Sequence, residues 1–474
     1  MSASATRARD PRGLGWAVAW GVYALFCVVV LAMVWYRASP QSDATDFRDF
    51  WENAIHFRQT GVVASDLGVH NYLPFFTILM TPWGLLPLQL AAALFVALSL
   101  GMFALTVWMA EALLAPRGAP PLVPAGRGDR ELKYRRGDGE RTRPLSSREG
   151  GWSNRDGAGP RPALLIAAAL ALPYVYACGV LGNVGILLVF LVVAAWFLIE
   201  RGHPWVGGVA LGLATLIKLL PAVLVGVLLL RRSWRAAGGA ALTCLVLGVG
   251  WPLLALGPGV AWREHVAFYE RAIRGHSAAT TILADRPIKA NYSNNAVPIV
   301  LRRLLTPVNA GKHDQELLVN VADLPRVGVL ATYFALIGAI VTLSVLPPLW
   351  KRRKGGAARV PHEDDGPEAA RWQYASWCCL MLLASPLVWT HYLPLVYWPL
   401  AMLADRADRV ARERGRPCRW ATAALIAWLI ATLLLVSPAA RAAGALTAGV
   451  FVLWLACTAL AWQAGRTRSP RMAG

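Results

Sequence analysis

Apolar stretches of about 15–25 residues, close to the length of a membrane-spanning helix, recur along the chain and alternate with charged stretches. A helix needs about 20 apolar residues to cross a bilayer, where it satisfies its backbone hydrogen bonds internally. The hydrophobic fraction of 56% exceeds the roughly 45–50% of an average soluble protein. The pattern predicts an all-α, polytopic integral membrane protein with about 12 membrane helices, in a range of about 10–13.

Basic residues give the chain a net charge of +20 and stand in short runs beside the apolar stretches. The positive-inside rule explains such runs as cytoplasmic anchors, so we do not expect nucleic acid to be a partner. With every strong basic cluster in the cytoplasm, both termini also lie there. The chain is therefore expected to be a multi-pass protein of a bacterial inner (plasma) membrane.

Five regions follow from this topology. Residues 1–114 hold the first helices and an extracytoplasmic loop, and residues 115–162 form a basic cytoplasmic insertion whose composition predicts disorder. Residues 163–256 hold membrane helices, 257–326 a second extracytoplasmic loop, and 327–474 the C-terminal membrane helices. The extracytoplasmic loops, with the short outer turns, are expected to form any active site.

The first loop carries the clearest acidic group, in the segment ATDFRDFWENA. Asp46, Asp49 and Glu52 are spaced three residues apart, so a helix would place them on one face. Mutual repulsion raises the pKa of a carboxyl group, which suits a general base. A solvated acidic helix face is the alternative, and composition alone favours it.

Lys218 stands among apolar residues in LATLIKLLPAVL, and a cation at the centre of a bilayer costs about 2.5–3.5 kcal/mol. Pro221 disfavours a continuous helix, which predicts two short arms over residues 204–230 that meet in an outer turn. In that turn the ammonium is placed to hold a lipid phosphate. A lysine that extends to the membrane interface is the alternative.

His391 occupies another outer turn, in SPLVWTHYLPLVYWP, where an imidazole suits contact with a phosphate oxygen or transfer of a proton. A histidine in the interfacial aromatic belt, beside residues such as Tyr392, is the alternative. The second loop adds amides and a hydroxyl that suit a sugar, and guanidiniums that suit phosphate. These candidates are Asn291, Ser293, Asn294, Arg302 and Arg303.

Motifs for other chemistries are missing from the sequence. It has no P-loop, no GxSxG elbow, no HExxH and no zinc-ligand spacing, and its seven cysteines form no CxxC pair. We therefore expect no metal site, no cofactor and no disulfide framework. An ATP-driven pump or a soluble-type hydrolase is disfavoured.

Taken in order, these segments resemble glycosyltransferase family 87, the polyprenol-phosphate-mannose-dependent mannosyltransferases of the GT-C class. The shared features are an Asp with aromatics, a Tyr/Pro segment, a Gly-Gln-type turn, an Ile-Lys-x-x-Pro helix end, an Asn/Ser-rich segment and a His-Tyr segment. Here they read TDFRDFW, NYLPFFTILMTPWGLLP, Gly182-Asn183, GGVALGLATLIKLLPAVL, NYSNNAVPIVLRRLL and SPLVWTHY. The similarity covers most of the chain except the 115–162 insertion and the C-terminal arginine stretch.

The resemblance implies roles for individual residues. Asp46 would be the catalytic base, and Lys218 and His391 would face the donor phosphate, joined by Arg302 and Arg303. The residues expected to line the substrate are Asp49, Tyr72, Asn183, Asn291, Ser293 and Asn294.

Two positions depart from the family pattern. Asn183 replaces the usual Gln, and the Tyr-Pro pair is spread out as Tyr72-Leu73-Pro74. Details of the substrate are therefore expected to differ from those of other members.

The implied activity is transfer of a hexose, mannose in this family, from a polyprenyl-monophosphate carrier to a lipid or glycan acceptor on the outer face, with inversion. Three alternatives stay open: a lipid or solute transporter or flippase, a GT-C enzyme that uses another sugar, and a non-catalytic envelope-assembly protein. A transporter would favour internal repeats and ionisable residues at the membrane midplane. The sequence shows no repeat, and only Lys218 fits the second criterion.

Overall fold

The computed structural model describes residues 11–39, 45–63, 72–115, 161–285, 290–312, 315–354 and 367–466. Helices dominate these ranges, which contain no β-strand beyond an isolated bridge between Asn294 and Trp389. The all-α prediction is therefore confirmed. The predicted insertion at 115–162 lies outside the described residues, apart from its ends at residues 115, 161 and 162.

The helices include long apolar rods and short connectors. The first part of the chain forms α1 (Pro11–Arg37), α2 (Asp46–Thr60), α3 (Pro74–Met80), α4 (Leu88–Leu114), α5 (Pro162–Leu181), α6 (Gly185–Glu200), α7 (Pro204–Ile217), α8 (Ala222–Leu230), α9 (Trp234–Leu245) and α10 (Trp251–Leu256). The second part forms α11 (Pro258–Phe268), α12 (Ala278–Leu283), α13 (Val297–Leu305), α14 (Arg326–Lys354), α15 (Pro367–Leu383), α16 (Tyr397–Arg414), α17 (Arg419–Leu433), α18 (Pro438–Ala442) and α19 (Ala445–Arg466). The connecting turns include π-helical segments at Val246–Gly250 and Tyr269–Arg274, and 3₁₀ segments at Thr81–Leu85, Thr390–Val396 and Leu434–Val436.

Seven helical stretches in the described part of the chain are long and apolar enough to cross a membrane. They are Ala17–Arg37, Leu88–Leu114, Pro162–Leu181, Trp234–Leu256, Arg326–Leu346, Arg419–Val436 and Ala445–Ala464. Two further apolar helices, α6 and α7, have 16 and 14 residues, fewer than the about 20 of a full crossing. A polytopic membrane protein is confirmed, while the count of about 12 crossings stays a prediction.

The apolar stretch over residues 204–230 is broken as its sequence predicts. Helix α7 ends at Ile217, Lys218 is extended with φ −145° and ψ 136°, and α8 begins at Ala222. Pro221 lacks the backbone N–H that a continuous helix would need and clashes with the preceding turn. The break leaves Lys218 in a turn instead of on the side of a helix.

Ion pairs join helices at the far end of α6. Its last residue, Glu200, accepts two hydrogen bonds from Arg371 of α15, at 2.7 and 2.6 Å. Asp405 of α16 binds Arg161, at the start of α5, at 2.7 Å and Arg409 at 2.9 Å. Since the 16 residues of α6 rise by about 24 Å, these pairs lie far from the turn where α6 begins. That turn is part of the candidate site.

Aromatic side chains fix α6 against α15 between these two ends. The rings of Trp196 and Tyr374 stack with centroids 4.5 Å apart. The buried Tyr374 hydroxyl donates to the carbonyl oxygen of Val192 at 2.9 Å. A phenol without such a partner would be costly in this apolar core, so the bond sets the height of α6 and with it the position of the turn.

Candidate active site

Five of the candidate side chains come from separate elements and meet where those elements end. Asp46 is the first residue of α2, Tyr72 precedes α3, and Asn183 lies in the turn between α5 and α6. Lys218 directly follows α7, and His391 belongs to the 3₁₀ segment before α16. Irregular backbone at helix ends allows side chains from distant parts of the chain to face one another.

The closest contact in this cluster holds the carboxylate of Asp46. The side-chain N–H of Asn183 donates to Asp46 Oδ2 at 2.7 Å. The other end of the amide, Asn183 Oδ1, accepts the backbone N–H of Gly185 at 3.1 Å. Because that oxygen is engaged by backbone, the amide nitrogen is the end that faces Asp46, and the carboxylate is held in one orientation.

Two glycines in the α5–α6 turn allow the other segments to come this close. Gly182 has φ +63°, a left-handed conformation, and a Cβ there would lie 2.6 Å from the Cβ of Phe47. A Cβ on Gly185 would collide with the carbonyl oxygen of His391. The start of α2 and the His391 segment therefore both pack directly on the backbone of this turn.

Lys218 lies between two phenol rings. Its ammonium nitrogen is 3.7 Å from the ring centroid of Tyr392 and 5.6 Å from that of Tyr72. Tyr72 in turn stacks on Phe76 at 4.5 Å and meets Phe50 edge-on at 5.1 Å. Cation–π attraction favours this placement of the ammonium, and the packed rings hold it near Asp46.

Burial and mutual charge set the protonation of the cluster. Burial lowers the pKa of the Lys218 ammonium to about 7, and the Asp46 carboxylate opposes that change. Burial and the Lys218 charge lower the pKa of His391 well below its usual 6.5, so the imidazole is neutral at pH 7. Burial, with Tyr392 and Asp46, raises the pKa of Tyr72 and keeps its hydroxyl protonated. The site therefore combines the carboxyl group of Asp46, a lysine whose pKa lies close to 7 and a neutral imidazole.

A cavity of about 300 Å³ adjoins the cluster on the side of Lys218. Lys218 and Tyr392 form part of its lining, and most of its wall is apolar, with Leu220, Val223 and Phe268 among the lining residues. Within the described ranges, no group of three or more His, Cys, Asp or Glu residues is placed to hold a metal ion. The cavity suits a ligand with one anionic group and a long apolar body.

Asp49 lies one helical turn after Asp46 on α2 and is half-buried. Burial, followed by the charges of Asp46 and Glu52, raises the pKa of Asp49 to about 6. The charges of Asp46 and Glu52 thus act on Asp49, which lies between them on the same helix.

In the second predicted loop, asparagine side chains accept hydrogen bonds from backbone N–H groups. Asn291 Oδ1 accepts the N–H of Ser293 at 3.0 Å in an Asx turn. Asn294 Oδ1 accepts the N–H of Val388 at 3.2 Å. That bond docks the loop on the segment that leads to His391, so the loop supports the site from one side.

The arginines of α13 donate to backbone oxygens. Arg303 is fully buried, and its two terminal nitrogens donate to the carbonyl oxygens of Asn291 and Asn294, both at 3.0 Å. Arg302 donates to the carbonyl oxygen of Ala284 at 3.3 Å. These contacts tie α13 to the chain before it.

The structure thus separates the predicted site residues into two groups. One group lies around Lys218. The other lies in the neighbouring loop, where the Ser293 hydroxyl is 3.4 Å from Arg441 Nη2. The group around Lys218, here named the cluster, comprises Asp46, Tyr72, Asn183, Lys218 and His391, with Asp49 beside it. The group in the neighbouring loop, here named the loop framework, comprises Asn291, Ser293, Asn294, Arg302 and Arg303.

Tyr392 adjoins the cluster, and the sequence interpretation missed it as a site residue. The sequence places it in an aromatic belt, whereas its ring lies against the Lys218 ammonium and its side chain lines the cavity. The available signal was its position next to His391. A tyrosine in an interfacial aromatic belt and a tyrosine in a binding site have similar sequence surroundings, so only the fold distinguishes them.

Comparison with curated proteins finds a relative in Mycolicibacterium smegmatis, the polyprenol-phosphate-mannose-dependent alpha-(1-2)-phosphatidylinositol mannoside mannosyltransferase. The two are 27% identical over 287 residues, which are 58% of this chain and 54% of the relative. The chain therefore spans about half the length of the curated relative that it matches. No solved structure matches the chain.

The sequence profile of glycosyltransferase family 87 matches residues 70–386. Tyr72, Asn183 and Lys218 lie inside the matched range, and Asp46 and His391 lie outside it. Since the match covers more than half of the chain, the protein belongs to glycosyltransferase family 87.

Proposed function

We propose that this protein transfers mannose from a polyprenyl monophosphate to a hydroxyl of a glycolipid acceptor, with inversion at the anomeric carbon. The observation that carries the proposal is the cluster. It holds an oriented carboxyl group, a lysine and a neutral imidazole together, and the lysine lines a largely apolar cavity. The family and the printed name of the mycobacterial relative support the donor.

Asp46 acts in this proposal as the general base. It takes the proton of the acceptor hydroxyl while that oxygen forms a bond to the anomeric carbon of the sugar. The bond from this carbon to the phosphate oxygen breaks, and the electron pair leaves with the polyprenyl phosphate. Such base assistance is typically worth about 10²–10⁴-fold in rate. Asn183 holds the carboxylate in the orientation this step needs.

Lys218 and His391 stabilise the leaving phosphate. An anion raises the pKa of a neighbouring ammonium, so a phosphate in the cavity restores the full charge of Lys218. The neutral imidazole of His391 has one N–H available to donate to a phosphate oxygen. The part of the polyprenyl chain next to the phosphate lies in the apolar part of the cavity, beside Val223 and Phe268. A phosphate-binding role for Arg302 and Arg303 stays a prediction.

The acceptor and the topology are the finer parts of the proposal. The name of the relative specifies a phosphatidylinositol mannoside, and we assign an acceptor of that glycolipid class here. The cluster lies on the outer face of a bacterial plasma membrane, with both termini and the basic runs in the cytoplasm. The positive-inside rule supports this orientation.

The decisive test is the variant Asp46→Asn, which keeps the size of the side chain and removes the base. Purified protein in lipid nanodiscs is incubated with polyprenyl-phosphate mannose and a phosphatidylinositol mannoside, and product is read by mass. We expect transfer to fall by about 10²–10⁴-fold with unchanged thermal unfolding. The exposed Glu52 on the same helix provides the matched control, Glu52→Gln, which should retain activity.

Full transfer by Asp46→Asn would refute the assignment of the base. If the wild-type protein moved the polyprenyl lipid across vesicles without changing its mass, the protein would be a flippase. Transfer of another sugar in preference to mannose would keep the mechanism and correct the donor.

A further inference from the structure

Helix α11 and the π-helical segment after it carry a row of exposed apolar side chains. The exposed fractions are 71% for Trp262, 42% for Val266, 52% for Tyr269 and 42% for Ile273. The intervals of four, three and four residues repeat the helical turn, so all four side chains project from one face. We call these four residues the stripe.

The remaining positions of the helix divide into two further faces. Arg263, Glu270 and Arg274 are exposed and lie about 100° around the axis from the stripe. The face turned to the protein buries Ala261, Glu264 and Phe268. A helix with an apolar, a polar and a protein-facing side fits a position where three media meet, namely lipid, water and protein.

The stripe continues the lipid-facing surface of a membrane span. The span Trp234–Leu256 ends six residues before Trp262, and Leu254 within it is 90% exposed. Gly257, with φ +76°, makes the turn between the span and α11. The ring nitrogens of His265 lie 2.7 Å from the carbonyl oxygen of Ala261 and 2.8 Å from that of Gly248 in the span. The helix is thus held at the end of the span.

We propose that residues 258–274 form an interfacial helix that docks on the bilayer, with the stripe in the boundary between headgroups and acyl chains. Trp and Tyr favour that depth because their rings are apolar and their N–H or O–H groups reach water. The guanidiniums of Arg263 and Arg274 lie at the level of the lipid phosphates. The occupant of this surface is phospholipid of the leaflet on the side of the cluster.

Two observations favour lipid over a partner protein. The exposed apolar surface is continuous with that of the span Trp234–Leu256, whose surroundings are already lipid. The adjoining polar face carries two arginines, Arg263 and Arg274, and one acid, Glu270. Arg274 pairs with Glu270 at 3.0 Å, yet its side chain is 71% exposed, and Arg263 is exposed as well. A cationic rim beside an apolar stripe complements an anionic membrane surface.

The docked helix also sets the height of the cavity. Phe268 and Ile273 line the same cavity as Lys218, and Ile273 is a member of the stripe. Docking of the stripe therefore places the cavity beside the lipid headgroups. The placement of the cavity beside the headgroups rests on the proposed function. The docking of the stripe on the bilayer does not depend on that function.

Lipid photo-crosslinking on the full chain tests the proposal. Benzoylphenylalanine is introduced at position 262, 266 or 269 of the stripe, and at position 263 or 270 of the polar face as matched controls. Each protein is reconstituted in nanodiscs of phosphatidylethanolamine and phosphatidylglycerol, irradiated and analysed by intact mass. All five positions are exposed, and a thermal unfolding midpoint equal to that of the wild type confirms the fold.

We expect phospholipid adducts several-fold more abundant at the stripe positions than at the control positions. Equal yields on the two faces, or no adducts at the stripe, would overturn the proposal. Crosslinks from the stripe to a second protein chain would overturn it as well. No donor or acceptor is present, so failure of the sugar-transfer assay would leave this result untouched.

Discussion

The cluster and the loop framework are neighbours that use similar polar residues in opposite ways. In the cluster, Asn183 binds a side chain from a distant helix and Lys218 faces an apolar cavity. In the loop framework, Asn291 and Arg303 bind backbone groups of the loop itself. A polar side chain engaged by local backbone stabilises the fold, whereas a charge brought to a cavity from another element is available to a ligand.

Two cations, Arg303 in the loop framework and Lys218 in the cluster, make the comparison sharpest. Arg303 has two carbonyl oxygens as partners at 3.0 Å. Lys218 contacts the face of Tyr392 at 3.7 Å, a weaker partner than an anion would be. Replacing either cation by methionine should therefore have different consequences.

Among the variants that compare the two groups, the largest effect is expected for Lys218→Met. Methionine fills a similar space without a charge, so the leaving phosphate loses its main cation and transfer should fall by about 10²–10³-fold. Thermal unfolding should change little, since a buried ammonium is removed together with its desolvation cost. Steady-state kinetics in nanodiscs and a melting curve measure both quantities. Transfer within a few-fold of wild type would place the phosphate elsewhere and break the comparison.

Arg303→Met should show the reverse pattern. It leaves the carbonyl oxygens of Asn291 and Asn294 without their donor, at a cost of about 1–3 kcal/mol for each buried group. The free energy of unfolding should fall, while the transfer rate per folded molecule stays near that of wild type. Arg302→Met is the matched control, since the 3.3 Å bond of Arg302 to Ala284 is longer and the loss should be smaller. Lost transfer without lost stability would instead make Arg303 a phosphate ligand.

Asn183→Ala tests whether the hydrogen bond from Asn183 orients Asp46 as the general base. A hydrogen bond to a charged group is worth about 1.5–3 kcal/mol, which corresponds to about 10- to 150-fold in rate. We expect that loss in kcat with an unchanged KM for the polyprenyl donor, because Asn183 positions the base and does not bind the lipid. Asn183→Gln, the residue usual in the family, should recover part of the rate. A change confined to KM would assign Asn183 to substrate binding.

The fold class and three members of the cluster, Asp46, Lys218 and His391, follow from patterns that a bilayer imposes, whereas Tyr72 and Asn183 are predicted from the family resemblance. Apolar stretches predict the helices, and Pro221 predicts the break that exposes Lys218. Residues such as Asp46 and His391 could be selected because each stands in a polar turn between apolar stretches. Membrane topology brings such turns to one side, so candidates that are distant in sequence meet in space.

The division between the cluster and the loop framework could not be read from the sequence. Asn183 and Asn291 are the same residue type in similar turns, and only their backbone geometry decides whether the amide faces a neighbour or its own chain. The role of Tyr392 was hidden for the same reason. The number of crossings could not be read from the sequence either, because helices as short as α7 are below the usual length of a span.

The smallest expected effect concerns Asp49. This residue lies beside Asp46 of the cluster, but about half of it is exposed to solvent. Its folded pKa of about 6 exceeds the 3.8 of an unperturbed Asp. A raised pKa means that the folded state binds the proton more tightly, so stability is full below the unfolded pKa and falls as pH rises through about 6. Asp49→Asn should remove that fall and exceed wild type above this pH by less than about 1 kcal/mol, since solvent screens a half-exposed group. Melting curves between pH 4 and pH 8 measure the difference. Curves for the two proteins that stay parallel across this range would assign Asp49 to a solvated helix face, the alternative that the composition of this segment favours.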